Sequence, residues 1–312
     1  MKIVIVGLGG VGGIVGGRLA AGLAEHPEHE IVFWCRGKTC EAIAENGLTV
    51  LNSDERIVAR PALATSDPGD VGTADVLIFA TKGYHLDAAA EQLAPAASEK
   101  TVVIPLLNGV SAASVLKKHL PESDVLGGCI YVSAHVENPG TVRQIGAVQR
   151  IIFGKRGIGE AENLMRYGAV DQVLQKSGIS ITLTDRIDVE MWSKFIFLSP
   201  FAGTTTLYRR SIGEVLSEAE SFEMTEKMIA ELEALGRAKK VSLPENIAGL
   251  TVEKARAFAP HTKTSMQLDQ EKGNATELES LIGYVCREAQ DLGVPVPTYD
   301  RAYAELKKIC KS

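Results

Sequence analysis

A short β-branched run, Lys2 to Val6, leads directly into Gly7-Leu8-Gly9-Gly10-Val11-Gly12, and a helix-forming stretch follows at once. The G-x-G-x-x-G pattern takes its meaning from that context, which predicts the phosphate-binding turn of a dinucleotide-binding α/β fold. Gly7 permits the tight turn, Gly9 lets the backbone approach a pyrophosphate, and Gly12 allows close packing of the helix, while free N–H groups at the helix start attract the anion. The expected cofactor-binding turn is therefore Gly7, Leu8, Gly9, Gly10, Val11 and Gly12. The uncharged run Ile3 to Gly17 behind Lys2 also has the outline of a signal peptide, but seven glycines among those fifteen residues weaken the hydrophobicity and helicity a leader needs.

Glu30 to Cys35, Ala74 to Ala80 and Thr101 to Leu107 repeat the strand signal, with helix-like segments near Gly12 to Ala24, Thr39 to Glu45, Leu86 to Ala94 and Ser111 to His119. The alternation predicts a Rossmann-type, doubly wound α/β sheet. Leu48 to Leu51 and Arg56 to Ala59, around Asn52-Ser53-Asp54, read as a hairpin at the sheet edge. Further strands are expected at Val125 to Val136, Thr141 to Ile145, Arg150 to Phe153 and Ile179 to Leu183. After about Asp185 the strand-like runs stop, and helical periodicity continues through Asp188 to Tyr208, Ile212 to Lys239, Pro244 to Phe258, Glu277 to Leu292 and Thr298 to Ile309. A chain of 312 residues has room for two domains, expected as a Rossmann domain over 1–185 and an all-helical second domain over 186–312.

Lys plus Arg number 33 against 39 Asp plus Glu, a formal net charge of −6, so no long-range positive field exists to gather nucleic acid or an anionic membrane. A small-molecule substrate is the expected partner. The five cysteines, Cys35, Cys40, Cys129, Cys286 and Cys310, contain no Cys-x-x-Cys pair, which argues against a disulfide framework or a zinc site and fits a reducing cytoplasm. The histidines share no ligand spacing, so no metal is expected. An NAD site calls for an acidic side chain at the end of the second strand to accept hydrogen bonds from the ribose hydroxyls. Here the strand runs into Arg36-Gly37-Lys38 instead. Arg36 suits a bidentate grip on a 2′-phosphate, and Lys38 either adds a point charge or is a solvated first-turn residue, so NADP(H) is the expected cofactor.

Ligands of open α/β sheets sit beyond the carboxyl ends of the strands. Lys82 and Asn108 each follow such an end and are candidates to face a nicotinamide, with a plain surface turn as the alternative for both. Lys194 is the one cation in the apolar run Met191 to Leu198. It reads either as half of a surface pair with Glu190, four residues back, or as a lysine buried near a cofactor, where a lowered pKa suits proton donation. Ser265 and Glu277, on either side of Gly273, would alone read as a helix start and a solvated face.

Taken together these residues resemble the ketopantoate (2-dehydropantoate) reductase family, over nearly the whole chain and in the same order: the glycine motif, Lys82 in TKGYH, Asn108 in LLNGV, Lys194 in WSKF, and Ser265 with Glu277 in SMQLD and TELE. The resemblance implies that NADPH binds in a cleft between a Rossmann and a helical domain, and that ketopantoate is reduced to pantoate for pantothenate and coenzyme A synthesis. It further implies Lys194 as the general acid, Glu277 as the residue that holds the substrate hydroxyl and orients the lysine, Asn108 and Ser265 as substrate-binding residues, and Lys82 with Asn108 beside the nicotinamide. The chain departs from the family where well-known members carry two asparagines: here stand Leu198 and Ala202. That departure leaves open a more apolar 2-keto acid, or replacement of the amides by Thr204, Thr205 or Thr206. An opine-type imine as substrate, and a sensor that binds NADPH without turnover, are also compatible with the fold. A homodimer is the expected assembly.

Overall fold

Ile3, Val4, Ile5 and Val6 are wholly buried, the mark of a strand covered on both faces, and they stand inside a six-stranded parallel sheet. The computed structural model describes residues 1–311. The sheet is built from β1 (Lys2–Val6), β2 (Glu30–Trp34) and, beyond the β3–β4 hairpin (Leu48–Leu51, Arg56–Ala59), from β5 (Leu63–Thr65), β6 (Val76–Phe79), β7 (Val102–Pro105) and β8 (Asp124–Val125). Its order, β5-β2-β1-β6-β7-β8, runs outward from β1 to one edge and then back across to the other, which is the doubly wound topology. Helices α1 (Gly10–Gly22), α2 (Gly37–Asn46), α3 (Leu86–Leu93) and α4 (Ala112–His119) belong to its crossovers.

The β3–β4 hairpin does not lie at the edge of this sheet. It belongs to a second sheet ordered β11-β10-β3-β4, with β9 paired antiparallel to β10. Here β9 is Gly127–Asn138, β10 is Thr141–Gly154 and β11 is Ser180–Leu183. The two strands expected at Thr141 to Ile145 and Arg150 to Phe153 are one strand, β10, interrupted by a bulge between Ile145 and Gln149. Helix α1 is sandwiched between the sheets. A Cβ on Gly16 would meet the Phe33 ring at 2.8 Å, and on the opposite side a Cβ on Gly13 or Gly17 would come within 2.4 Å of Val142 or Val50. The glycines of α1 thus let one helix touch two sheets at backbone distance. Helix α5 (Glu160–Gln175), absent from the sequence expectation, packs on β11.

The second half is helical: α6 (Ile187–Tyr208), α7 (Ile212–Ser217), α8 (Ala219–Ala238), α9 (Ile247–Arg256), α10 (Ser265–Glu271), a π-helical turn over Glu279–Gly283, α11 (Tyr284–Leu292) and α12 (Pro297–Ile309). The single helix expected over Ile212 to Lys239 is two. Ser211 and Glu214 form a capping box at the start of α7, Glu218 is extended, and the buried Ser221 hydroxyl shares its one proton between the carbonyls of Val215 and Glu218, each 3.2 Å away, where α7 ends. Chain contacts divide the molecule into one unit of Met1–Leu107 with Ala112–Ile187 and another of Asn108–Ser111 with Asp188–Ser312. The sequence boundary at 185/186 differs by two residues, and the short excursion 108–111 carries no signal of composition that would assign it to the helical unit. No helix among the described residues is long and apolar enough to cross a membrane.

Candidate functional site

In the first unit the glycine turn is held by steric need at two points. Gly7 has φ +92°, and a Cβ there would stand 2.9 Å from Thr81 Cγ2. A Cβ on Gly12 would lie 1.8 Å from the Gly7 carbonyl oxygen, so the turn and the first turn of α1 close on each other only with glycine. Gly9, at the N-cap of α1, has nothing within 4 Å of its Cβ direction. The open face at Gly9, the N–H groups of the first helical turn, and the Thr81 hydroxyl, buried without a hydrogen-bond partner beside Gly7, fit the pyrophosphate of a dinucleotide. Leu8 is buried and Val11 half-buried, so their contribution to this turn is packing and backbone.

Arg36 is the N-cap residue of α2, directly past the end of β2. Its guanidinium carbon sits 4.6 Å from the centre of the Trp34 ring, and Nη2 donates to Gln92 Oε1 at 3.1 Å. The guanidinium is thus held by a ring face and an amide oxygen, whereas Lys38 is exposed in the first turn of α2. Sequence spacing reveals neither Trp34 nor Gln92 as a partner. Lys82 caps the short 3-10 turn Gly83–His85 and is half-buried. Cys35 and Cys40 are buried free thiols, and burial followed by contact with Cys40 pushes the Cys35 thiol far up, which makes it inert.

The helical unit assembles three of the candidates. Lys194 on α6 donates from Nζ to Asn108 Oδ1 at 3.3 Å, and Asn108 Nδ2 donates to Glu277 Oε2 at 3.2 Å. One amide therefore joins an ammonium to a carboxylate, with its oxygen and nitrogen ends assigned by the charge each meets. Glu277 is only 4% exposed, while Lys194 and Asn108 are half-buried. Gly109, with φ +89°, lets the 108–111 segment run so close to the π turn that a Cβ would meet the Ser280 carbonyl at 3.2 Å. Ser265 is exposed as the first residue of α10, capped by Thr264, and takes no part in this hydrogen-bonded chain. No cluster of three or more metal-ligating side chains occurs among the described residues.

Thr204, Thr205 and Thr206 do not replace the family's amides. All three are wholly buried, and each hydroxyl donates to the carbonyl one turn back, that of Pro200, Phe201 and Ala202 respectively. Ala202 itself is 1% exposed within the helical core, and only Leu198 is half-buried.

Residues 3–157 match the family described as ketopantoate reductase PanE/ApbA, and residues 186–310 match its C-terminal part. An uncharacterized oxidoreductase, YkpB of Bacillus subtilis, is 28% identical over 98% of each chain. A 2-dehydropantoate 2-reductase of Halobacterium salinarum is 30% identical, covering 100% of this chain and 99% of its own. The crystal structure of 2-dehydropantoate 2-reductase from Porphyromonas gingivalis superposes with a TM-score of 0.85 at 31% identity, covering 98% of this chain and 99% of that one.

Proposed function

The chain belongs to the ketopantoate reductase family, a family of oxidoreductases, and from that premise we propose that it catalyses the NADPH-dependent reduction of ketopantoate to pantoate, with Lys194 as general acid. The Lys194–Asn108–Glu277 chain is the observation that carries this reading. NADPH, when bound, supplies the hydride for the C2 carbonyl carbon. The Gly7 to Gly12 turn with Thr81 would receive the pyrophosphate, Arg36 the 2′-phosphate, and Lys82 would line the nicotinamide pocket.

Lys194, charged as an ammonium, stabilises the oxygen that becomes an alkoxide and delivers its proton there. Glu277, joined to Lys194 through the Asn108 amide, accepts a hydrogen bond from the substrate hydroxyl. Asn108 carries the orientation between the two, and with Ser265 contributes hydrogen bonds to the substrate. A second reading, reduction of a more apolar 2-keto acid, is favoured by Leu198 and by the withdrawal of Ala202 into the core.

The test is the initial rate of NADPH oxidation with ketopantoate, beside NADH and a panel of 2-keto acids. Lys194→Ala is expected to lower turnover by about a hundredfold to ten-thousandfold with NADPH affinity retained. Unchanged turnover in that variant removes Lys194 as the acid. A panel in which an apolar keto acid outruns ketopantoate establishes the second reading.

A further inference from the structure

The π turn that follows Glu277 is pinned from one side by a buried side chain with no part in the chemistry above. Ser199 lies on α6, five residues past Lys194, and is wholly buried. Its hydroxyl donates to the Leu281 carbonyl, inside the π turn, at 2.9 Å, and pairs with the Tyr299 hydroxyl at 2.9 Å. Tyr299, on α12, is also wholly buried, and burial holds its phenol protonated, far above the usual range. Ser199 immediately precedes Pro200, an intrahelical proline that removes a backbone hydrogen bond and weakens α6 at that point.

Three segments meet at the π turn. The 108–111 segment abuts Ser280, α6 is fastened through Ser199 to Leu281, and α12 through Tyr299 to Ser199. The Lys194–Asn108–Glu277 hydrogen bonds link the same α6 and 108–111 to the residue that opens this stretch. Those bonds run at 3.2–3.3 Å and are only partly buried. The Ser199 contact is shorter, at 2.9 Å, and wholly buried. We propose that Ser199, held by Tyr299, is a positioning residue that sets the separation of Lys194 and Glu277 by clamping the π turn to α6. The proposal rests on the reading of Lys194 and Glu277 as the reacting pair, and it adds a residue that touches neither substrate nor cofactor.

The test compares Ser199→Ala and Tyr299→Phe with the wild type, using the keto acid that the wild type reduces fastest. Both variants are expected to lower kcat by about tenfold to a hundredfold, the cost of a small misplacement of reacting groups, while KM and NADPH affinity measured by fluorescence stay near wild type. Amide hydrogen exchange over 277–284 is expected to accelerate in both. A folded Ser199→Ala protein with wild-type kcat and wild-type exchange over 277–284 overturns the proposal, as does a loss confined to KM. Where Ser199→Ala does not fold, Tyr299→Phe decides by the same criteria. Lys194→Ala separates the two layers: wild-type turnover there refutes the acid assignment and the proposal with it, whereas loss there beside normal Ser199 and Tyr299 variants refutes only the clamp.

Discussion

Leu198 and Ala202 look equivalent in the sequence, two apolar residues in place of two amides, but their surroundings separate them. Ala202 is 1% exposed among the core side chains of the helical unit, so an asparagine there would bury an amide. Leu198 is half-buried at the margin of that core, so an amide there keeps contact with water. Ala202→Asn is therefore expected to destabilise the protein by about 1–3 kcal/mol without improving ketopantoate turnover. Leu198→Asn is expected to leave thermal stability nearly unchanged and to raise kcat/KM for the hydroxylated keto acid relative to an apolar one. Steady-state rates with both substrates and a melting curve check the pair, and an equal response of the two variants would show that burial is the wrong criterion. At this scale the sequence carries the residue types through motif resemblance, since Lys194, Asn108 and Glu277 stand 86 and 169 positions apart in the bonds that join them. It carries nothing of Thr81 or Ser199, because a lone hydroxyl leaves no periodic signal and its importance lies in which partner it has or lacks.

Helix α1 shows what a pattern contains beyond its motif. The spacing of Gly7, Gly9 and Gly12 makes the motif legible, but the further glycines of the helix record a packing problem, one helix between two sheets, that only the second sheet explains. In sequence that sheet looks like an edge hairpin and separate strands, because β3 and β10 pair in parallel across some ninety residues of chain, a pairing with no local mark. Gly12→Ala tests the turn at the level of the element. Its methyl would overlap the Gly7 carbonyl oxygen at 1.8 Å, so the turn must open or α1 must shift. NADPH affinity is expected to fall by about tenfold or more and stability by about 1–3 kcal/mol. Fluorescence titration and thermal melting measure both, and wild-type affinity in the variant would mean the turn is not where the pyrophosphate binds. The capping box at Ser211 is equally readable, as S-x-x-E, yet the break between α7 and α8 is not, since it depends on the buried Ser221.

For the molecule as a whole, the periodicity of the sequence changes near residue 185, and each of the two units divided by chain contacts has a hydrophobic core of its own. The Rossmann unit closes its edge strand β8 electrostatically. Lys155 Nζ lies 2.6 Å from one Asp124 oxygen and the Tyr167 hydroxyl donates to the other at 2.5 Å, joining β8, the end of β10 and α5. Burial alone would raise the Asp124 carboxyl, but the hydrogen bonds from Lys155 and Tyr167 outweigh it and hold the carboxyl below the usual carboxylate range. A carboxylate with a depressed folded pKa contributes its stability above the unfolded value and loses it as the pH falls through the folded one. Asp124→Ala is expected to cost about 1–3 kcal/mol at neutral pH, with the gap to wild type narrowing below about pH 4. Denaturant unfolding at several pH values checks this, and a gap that does not change with pH would assign the loss to packing alone.

Four residues inserted from one half of the chain into the other, Asn108 to Ser111, also bear on how this protein exchanges parts with its relatives. A hybrid spliced once, near residue 187, joins one parent's Asn108 to another parent's lysine and glutamate, and the amide bridge must then be rebuilt between residues that were never selected together. A faithful graft has to carry the tetrapeptide along with the helical half, so recombination between relatives is expected to succeed with three junctions where it fails with one.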